Sequence, residues 1–208
     1  DYLREVKKKK LKALGKEISD EKLNEILSIK PRFEKIAIKD AKLRTFITND
    51  DDRSDMVTHV YDITYGTIRK GIDNLVVIDD SIVRGTTLKN SIIRMLDRLG
   101  PKKIIIVSSA PQIRYPDCYG IDMAKIGDQC AFKAAIALLE ENNMEHIIEE
   151  TYMHCKQQLE LGVNEMKNYV RDLYNPFSPE QLSAKITSML KPEDCKSDVE
   201  IIFQKIED

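Results

Sequence analysis

Leu75-Val76-Val77-Ile78-Asp79-Asp80-Ser81-Ile82-Val83-Arg84-Gly85-Thr86-Thr87 is the stretch that orders the rest of the chain. Its first four residues are apolar, three of them β-branched, and predict a short strand buried on both faces, with Asp79 and Asp80 marking its exit from the core. Gly85 then permits a tight turn, Thr86 and Thr87 supply hydroxyls, and Leu88, Ile92, Ile93, Leu96 and Leu99 fall at helical spacing. Strand, loop and helix start therefore follow one another. A helix start offers unpaired N–H groups and partial positive charge, and a glycine beside it lets an anion approach the backbone. Carboxylates just ahead of such a cup repel a phosphate, but they accept hydrogen bonds from neutral hydroxyls or face a metal ion. A sugar phosphate satisfies both halves, with its phosphate in the loop and its ribose hydroxyls on the acids.

Outward from this stretch, Gly100-Pro101 closes the helix, and Lys103-Ile104-Ile105-Ile106-Val107-Ser108-Ser109 predicts a second buried strand at the separation a right-handed βαβ unit requires. Parallel sheets bind ligands at the carboxyl ends of their strands, which puts Asp79-Asp80 and Ser109-Ala110-Pro111 on one rim. Arg114 and Tyr115 lie on the loop beyond and either line the site or fix the loop. A P-loop is excluded, because no Gly-x-x-x-x-Gly-Lys-Ser/Thr is present, and the dinucleotide fingerprint is absent too.

Asp-Asp-Ser-Ile-Val-Arg-Gly-Thr-Thr, from Asp79, resembles the phosphoribosyl pyrophosphate (PRPP) motif of type I phosphoribosyltransferases. With Ser109-Ala110-Pro111-Gln112-Ile113-Arg114-Tyr115-Pro116 and Tyr119-Gly120-Ile121-Asp122-Met123, the stretch is similar to the glutamine PRPP amidotransferase family. The resemblance implies an α/β fold, a type I phosphoribosyltransferase-like parallel sheet with flanking helices, plus a helical C-terminal segment. It also implies a glycosyltransferase reaction in which glutamine-derived ammonia displaces pyrophosphate from C1 of PRPP, giving phosphoribosylamine for purine biosynthesis. Asp79 and Asp80 would be the catalytic pair holding the ribose hydroxyls. Ser81, Arg84, Gly85, Thr86 and Thr87 would hold the 5-phosphate, and Mg²⁺ would sit at Asp79 and Asp80, directly or through the substrate. Arg44-Thr45-Phe46-Ile47 resembles part of the family's closing loop, where Lys39, Lys42 and Arg44 are the candidate pyrophosphate contacts. The tyrosine and glycine common before that arginine are replaced here by Ala41, Lys42 and Leu43.

Three segments are expected: a helical N-terminal segment, 1–32; a phosphoribosyltransferase core, 33–145; and a helical C-terminal extension, 146–208. In the first, Tyr2, Val6, Leu11 and Leu14 give an apolar side, Gly15 ends a helix, and Ser19-Asp20-Glu21-Lys22 starts another. Phe33 to Ile38 alternates as a strand does, after Pro31. Met56 to Gly71 has mixed spacing, and its lone histidine, His59, is read as packing or surface. From Cys130 onwards helices are expected around Phe132 to Leu139, Ile147 to Leu161, Val163 to Leu173, Leu182 to Leu190 and Val199 to Ile206.

Composition narrows the partners. Lys+Arg 33 against Asp+Glu 35 leaves a net charge of −2, and Lys7-Lys8-Lys9-Lys10 has neighbouring acids and no interleaved aromatics, so neither nucleic acid nor an anionic membrane is expected. The acidic run from Asp50 fails as a calcium loop, having Asp55 where glycine is needed and Tyr61 where a bidentate glutamate is needed. Cys118, Cys130, Cys155 and Cys195 form no Cys-x-x-Cys pair, and His146, His154 and Cys155 match no metal spacing, so reduced thiols in a cytoplasmic protein are expected. No cysteine lies near the start to serve as a glutaminase nucleophile, and no pyrophosphate loop precedes Phe33. The chain is accordingly read as the carboxy-terminal portion of an amidotransferase, weak or inactive alone. The expected partners are PRPP, purine nucleotides as inhibitors, an upstream glutaminase domain and further copies in a homo-oligomer. The alternatives are a non-catalytic PRPP-binding regulatory module and a nucleobase phosphoribosyltransferase.

Overall fold

The computed structural model describes residues 2–15, 19–30, 32–33, 37–39, 61–63, 66–117, 119 and 123–206. The chain forms two compact units, Asp1–Ile36 and Ala37–Asp208. In the first, α1 (Tyr2–Ala13) is followed by Gly15 at φ +76°, a backbone conformation glycine adopts without strain. Ser19 then caps α2 (Asp20–Leu27) by accepting a hydrogen bond from the Lys22 N–H at 3.4 Å. Lys7 donates to the Leu27 carbonyl at 2.6 Å and joins the two helices.

The second unit opens with β1 (Ala37–Lys39) and β2 (Tyr61–Ile63), paired antiparallel. Its main sheet contains β3 (Asn74–Asp79), β4 (Lys103–Ser108) and β5 (Asp198–Phe203) in that order, all parallel. Register aligns Leu75 with Ile104 and Val199, and Asp79 with Ser108 and Phe203, so the strands end level. Between β3 and β4 a π-helical turn (Leu88–Ile92) runs into α3 (Ile93–Asp97). After β4 come α4 (Cys130–Glu141), α5 (Glu145–Gln157), a series of 3₁₀ turns and α6 (Pro179–Leu190).

The core is the layer between the sheet and α3 and α6, with α4 packed on α6. Side chains alternate across a strand, and one face of this sheet carries the buried Leu75, Ile104, Ile106, Val199 and Ile201. Ile93 and Leu96 of α3 and Ile186 of α6 are buried with them, and Ala135 and Leu139 of α4 pack with Leu182 of α6, Tyr174 and Phe177 in an adjoining cluster. Each such Leu or Ile contributes about 1.5–3 kcal/mol by leaving water.

Three expectations are corrected here, and a fourth is narrowed. β3 is not buried on both faces: Val76 is 57% and Ile78 74% exposed, because among the described residues the helices pack on the opposite face. The segment expected as a helix from Val199 is strand β5, which completes the parallel sheet. Val163 to Leu173 contains 3₁₀ turns, Val163–Glu165 and Tyr169–Leu173, in place of a continuous helix. The strand read from Phe33 is seen at Ala37–Lys39; residues 34–36 lie outside the described residues.

Candidate functional site

β3 delivers Asp79 and Asp80 to the carboxyl end of the sheet. The Asp80 N–H donates to Asp79 Oδ1 at 3.1 Å and the Ser81 N–H donates to Asp80 Oδ1 at 2.8 Å, so each carboxylate is oriented by the backbone next to it. Burial raises the pKa of Asp79; the Asp80 N–H opposes that shift and the Asp80 charge adds to it. From β4, Ser109 closes the rim: its N–H donates to the Asp79 carbonyl at 2.9 Å, and its hydroxyl reaches the Asp79 and Asp80 carbonyls at 2.9 and 3.3 Å. The two strand ends are thereby locked side by side.

The next turn is the candidate anion cup. Gly85 sits at φ +72°, and the Lys89 N–H donates to its carbonyl at 2.9 Å to close the first helical turn. The N–H groups of Thr86, Thr87 and Leu88 precede any intrahelical acceptor and point out of the helix start. Thr86 is exposed, Thr87 half-buried and Leu88 buried, so the cup opens at the threonines and is closed below by the leucine. The base of the loop is fixed by α4, where the Cys130 N–H donates to the Val83 carbonyl at 2.8 Å. Arg84 forms an ion pair with Asp128 at 3.6 Å.

Of the candidate residues, Asp79, Asp80, Ser81, Arg84, Gly85, Thr86 and Thr87 therefore lie on one continuous turn beside Ser109. Lys39 ends β1, while Lys42 and Arg44 lie outside the described residues, as does His59. Arg114 and Tyr115 fix the rim loop. The Arg114 guanidinium lies 5.3 Å from the Tyr174 ring centre, Tyr115 meets that ring edge-on at 5.9 Å, and the Tyr174 hydroxyl donates to the Arg114 carbonyl at 2.8 Å.

Several residues of the site region carry no local signal in the sequence. Gln112 donates to the Pro179 carbonyl and to Ser183 Oγ, both at 2.8 Å, and accepts from Arg114 at 2.8 and 3.1 Å. Asp128 and Tyr174 likewise reach the site only through the tertiary fold. A cavity of about 1030 Å³ runs along β5, lined by Gln112, Arg114, Tyr115, Ser183, Ile201 and Phe203 among others. None of Asp79 to Thr87 lines it, so this cavity and the candidate anion cup are different places. Among the described residues no group of three or more His, Cys, Asp or Glu side chains is gathered for a metal, and no helix is long and apolar enough to cross a membrane.

A parallel α/β sheet with flanking helices, carrying an acidic pair and a glycine turn at the carboxyl end of one strand, has a type I phosphoribosyltransferase-like fold. The chain is similar to curated amidophosphoribosyltransferases from bacteria and fungi. It is 49% identical to that of Pasteurella multocida over 59 residues, 28% of this chain and 12% of the relative. For Escherichia coli the figures are 54% over 50 residues, 24% and 10%. The longest of these three matches, to the Lachancea kluyveri protein, is 32% identical over 136 residues, 61% of this chain and 26% of the relative. The chain thus spans between a tenth and about a quarter of the length of these relatives. No family model matches it.

Proposed function

We propose that the chain binds PRPP at the Asp79–Thr87 turn and serves the phosphoribosyl-transfer step of an amidophosphoribosyltransferase, in which glutamine-derived ammonia forms phosphoribosylamine for purine synthesis. The observation that carries this reading is the pairing, on one turn, of two backbone-oriented carboxylates with a glycine-led helix start. Phosphate is accommodated by the N–H groups of Thr86, Thr87 and Leu88, and the ribose hydroxyls donate to Asp79 and Asp80. The step forms a C1–N bond from ammonia and breaks the C1–O bond to pyrophosphate, and the proton lost from nitrogen passes to solvent. Positioning and charge placement are what this chain contributes: fixed dipoles hold the 5-phosphate, and ionised carboxylates beside C1 favour the positive character that develops there.

Mg²⁺ fits this donor set. Two adjacent carboxylates, with no larger cluster among the described residues, suit a hard cation shared with substrate phosphates and water. Bound there through Asp79 and Asp80, it would neutralise the departing pyrophosphate.

Calorimetric titration with PRPP and Mg²⁺ tests the reading. Binding is expected for the wild-type chain and is expected to disappear in Asp79→Asn/Asp80→Asn with its fold intact by circular dichroism. Equal affinity in the double variant would remove the acids from the site. Weak or absent ammonia-dependent turnover is expected of the isolated chain, so binding and its loss in the double variant decide the reading.

A further inference from the structure

α6 is the only helix among the described residues whose two ends each hold a different rim loop. At its amino end, Ser178 and Gln181 form a capping box with Pro179 in the first turn, and there the Pro179 carbonyl and Ser183 Oγ receive the Gln112 amide of the loop after β4. At its carboxyl end, the Met189 carbonyl accepts from Lys89 Nζ at 2.8 Å, and the buried Leu190 fills the space beside Gly85. A Cβ placed on Gly85 would lie 2.6 Å from both Leu190 methyl carbons and 3.2 Å from its Cγ. Mid-helix, Thr187 Oγ1 accepts from the Ile201 N–H at 3.1 Å and pins α6 to β5. A helix of twelve residues is about 18 Å long and stiff, so it spans the distance from one loop to the other.

We infer that α6 is a positioning strut for the anion cup, with Leu190 the residue that sets the shape of the Gly85 turn and Lys89 the tether that keeps the helix end against it. This rests on the proposed phosphate role of that turn for its functional consequence, though not for its mechanical one. Leu190 crowds the Cβ position of residue 85, so a side chain there must displace its methyl groups, and it fills space into which the turn could relax. The amides of Thr86 and Thr87 are thereby held ready for an anion before one arrives.

Two readouts test it on the full chain with Leu190→Ala, Leu190→Met, Lys89→Met, Gly85→Ala and Gly85→Ala/Leu190→Ala. In amide hydrogen exchange without ligand, Leu190→Ala and Lys89→Met are expected to speed exchange at position 89 and at Cys130, whose N–H groups bond to the Gly85 and Val83 carbonyls of the cup, while Ile104 to Ile106 of β4 stay protected, and Leu190→Met is expected to keep the wild-type protection. In ribose 5-phosphate titrations, Leu190→Ala is expected to weaken binding about tenfold, and the double variant is expected to bind more tightly than Gly85→Ala alone. Unchanged exchange at the cup in both Leu190→Ala and Lys89→Met would overturn the strut, as would equal loosening of β4. Purely additive binding losses would overturn the pairing of Leu190 with Gly85. If the wild-type chain binds no ribose 5-phosphate, the proposed function fails and the exchange readout alone decides the strut.

Discussion

Asp79 is held where its chemistry is most sensitive to its surroundings. Because burial raises its pKa, the fold favours its protonated form, so its contribution to stability is greatest below the ordinary carboxylate range and is lost as pH rises through the raised value. Ligand binding has the opposite sign, since ribose hydroxyls need the ionised acid. PRPP affinity is therefore expected to fall on acidification from a pH above the ordinary carboxylate range, and calorimetry across pH should show Asp79→Asn without that fall. Ser109→Ala removes the hydroxyl bridge to the Asp79 and Asp80 carbonyls and is expected to cost about 0.5–1.5 kcal/mol in denaturant unfolding. Cys130, pushed up to about 11 by burial, is expected to resist alkylation in the native chain and to react once unfolded. At this scale the sequence was informative: the acids, Gly85 and the threonines are contiguous, and one local turn assembles them. Gln112, Asp128, Tyr174 and Leu190 were not legible, because each reaches the site across long stretches of chain. Arg114 illustrates the same limit; its partner, the Tyr174 ring, is 60 positions away.

Among elements, β4 and α4 follow directly from their patterns, a β-branched run between turn signals and an apolar stripe at helical spacing. β5 does not. Val199, Ile202, Phe203 and Ile206 fit a helical stripe, while Val199, Ile201 and Phe203 fit strand alternation equally well. The arbiter is the open edge of β4, which pairs with Asp198–Phe203 and satisfies its backbone along the whole strand. β3 shows the converse: an all-apolar run looks the same whether helices cover one face or two. The C-terminal helices stabilise as well as position. Leu182, fully buried among Ala135, Leu139, Tyr174 and Phe177, is expected to cost about 2–5 kcal/mol on mutation to alanine, read from the chemical denaturation midpoint. Ser178→Ala breaks the capping box of α6 and is expected to cost about 1 kcal/mol by the same measurement.

Across the whole second unit, the βαβ crossing is closed by one carboxylate. Asp97, at the end of α3, accepts the Ser197 N–H at 2.7 Å and the Lys196 N–H at 3.2 Å, which seats β5 beside β4. Burial works against its ionisation, but the hydrogen bonds from Ser197 and from the Lys196 N–H outweigh it and hold the pKa below the usual carboxylate value. With a lowered folded value, the stabilisation is present above the ordinary carboxylate range and is lost as pH falls through the folded value. Asp97→Ala is expected to lower stability at neutral pH by about 1.5–3 kcal/mol and to flatten the acid limb of the unfolding curve. On the proposed function, the sheet, its register and these closures present Asp79 to Thr87 as a preformed cup at the carboxyl edge. The direct test is a heteronuclear NMR titration of the labelled chain with ribose 5-phosphate. The account predicts saturable shifts centred on the amides of Ser81, Gly85, Thr86 and Thr87, weakened when Gly85 is alanine. Shifts confined to the cavity along β5, at Ile201, Phe203 and Tyr115, with the Gly85 turn unmoved, would contradict it.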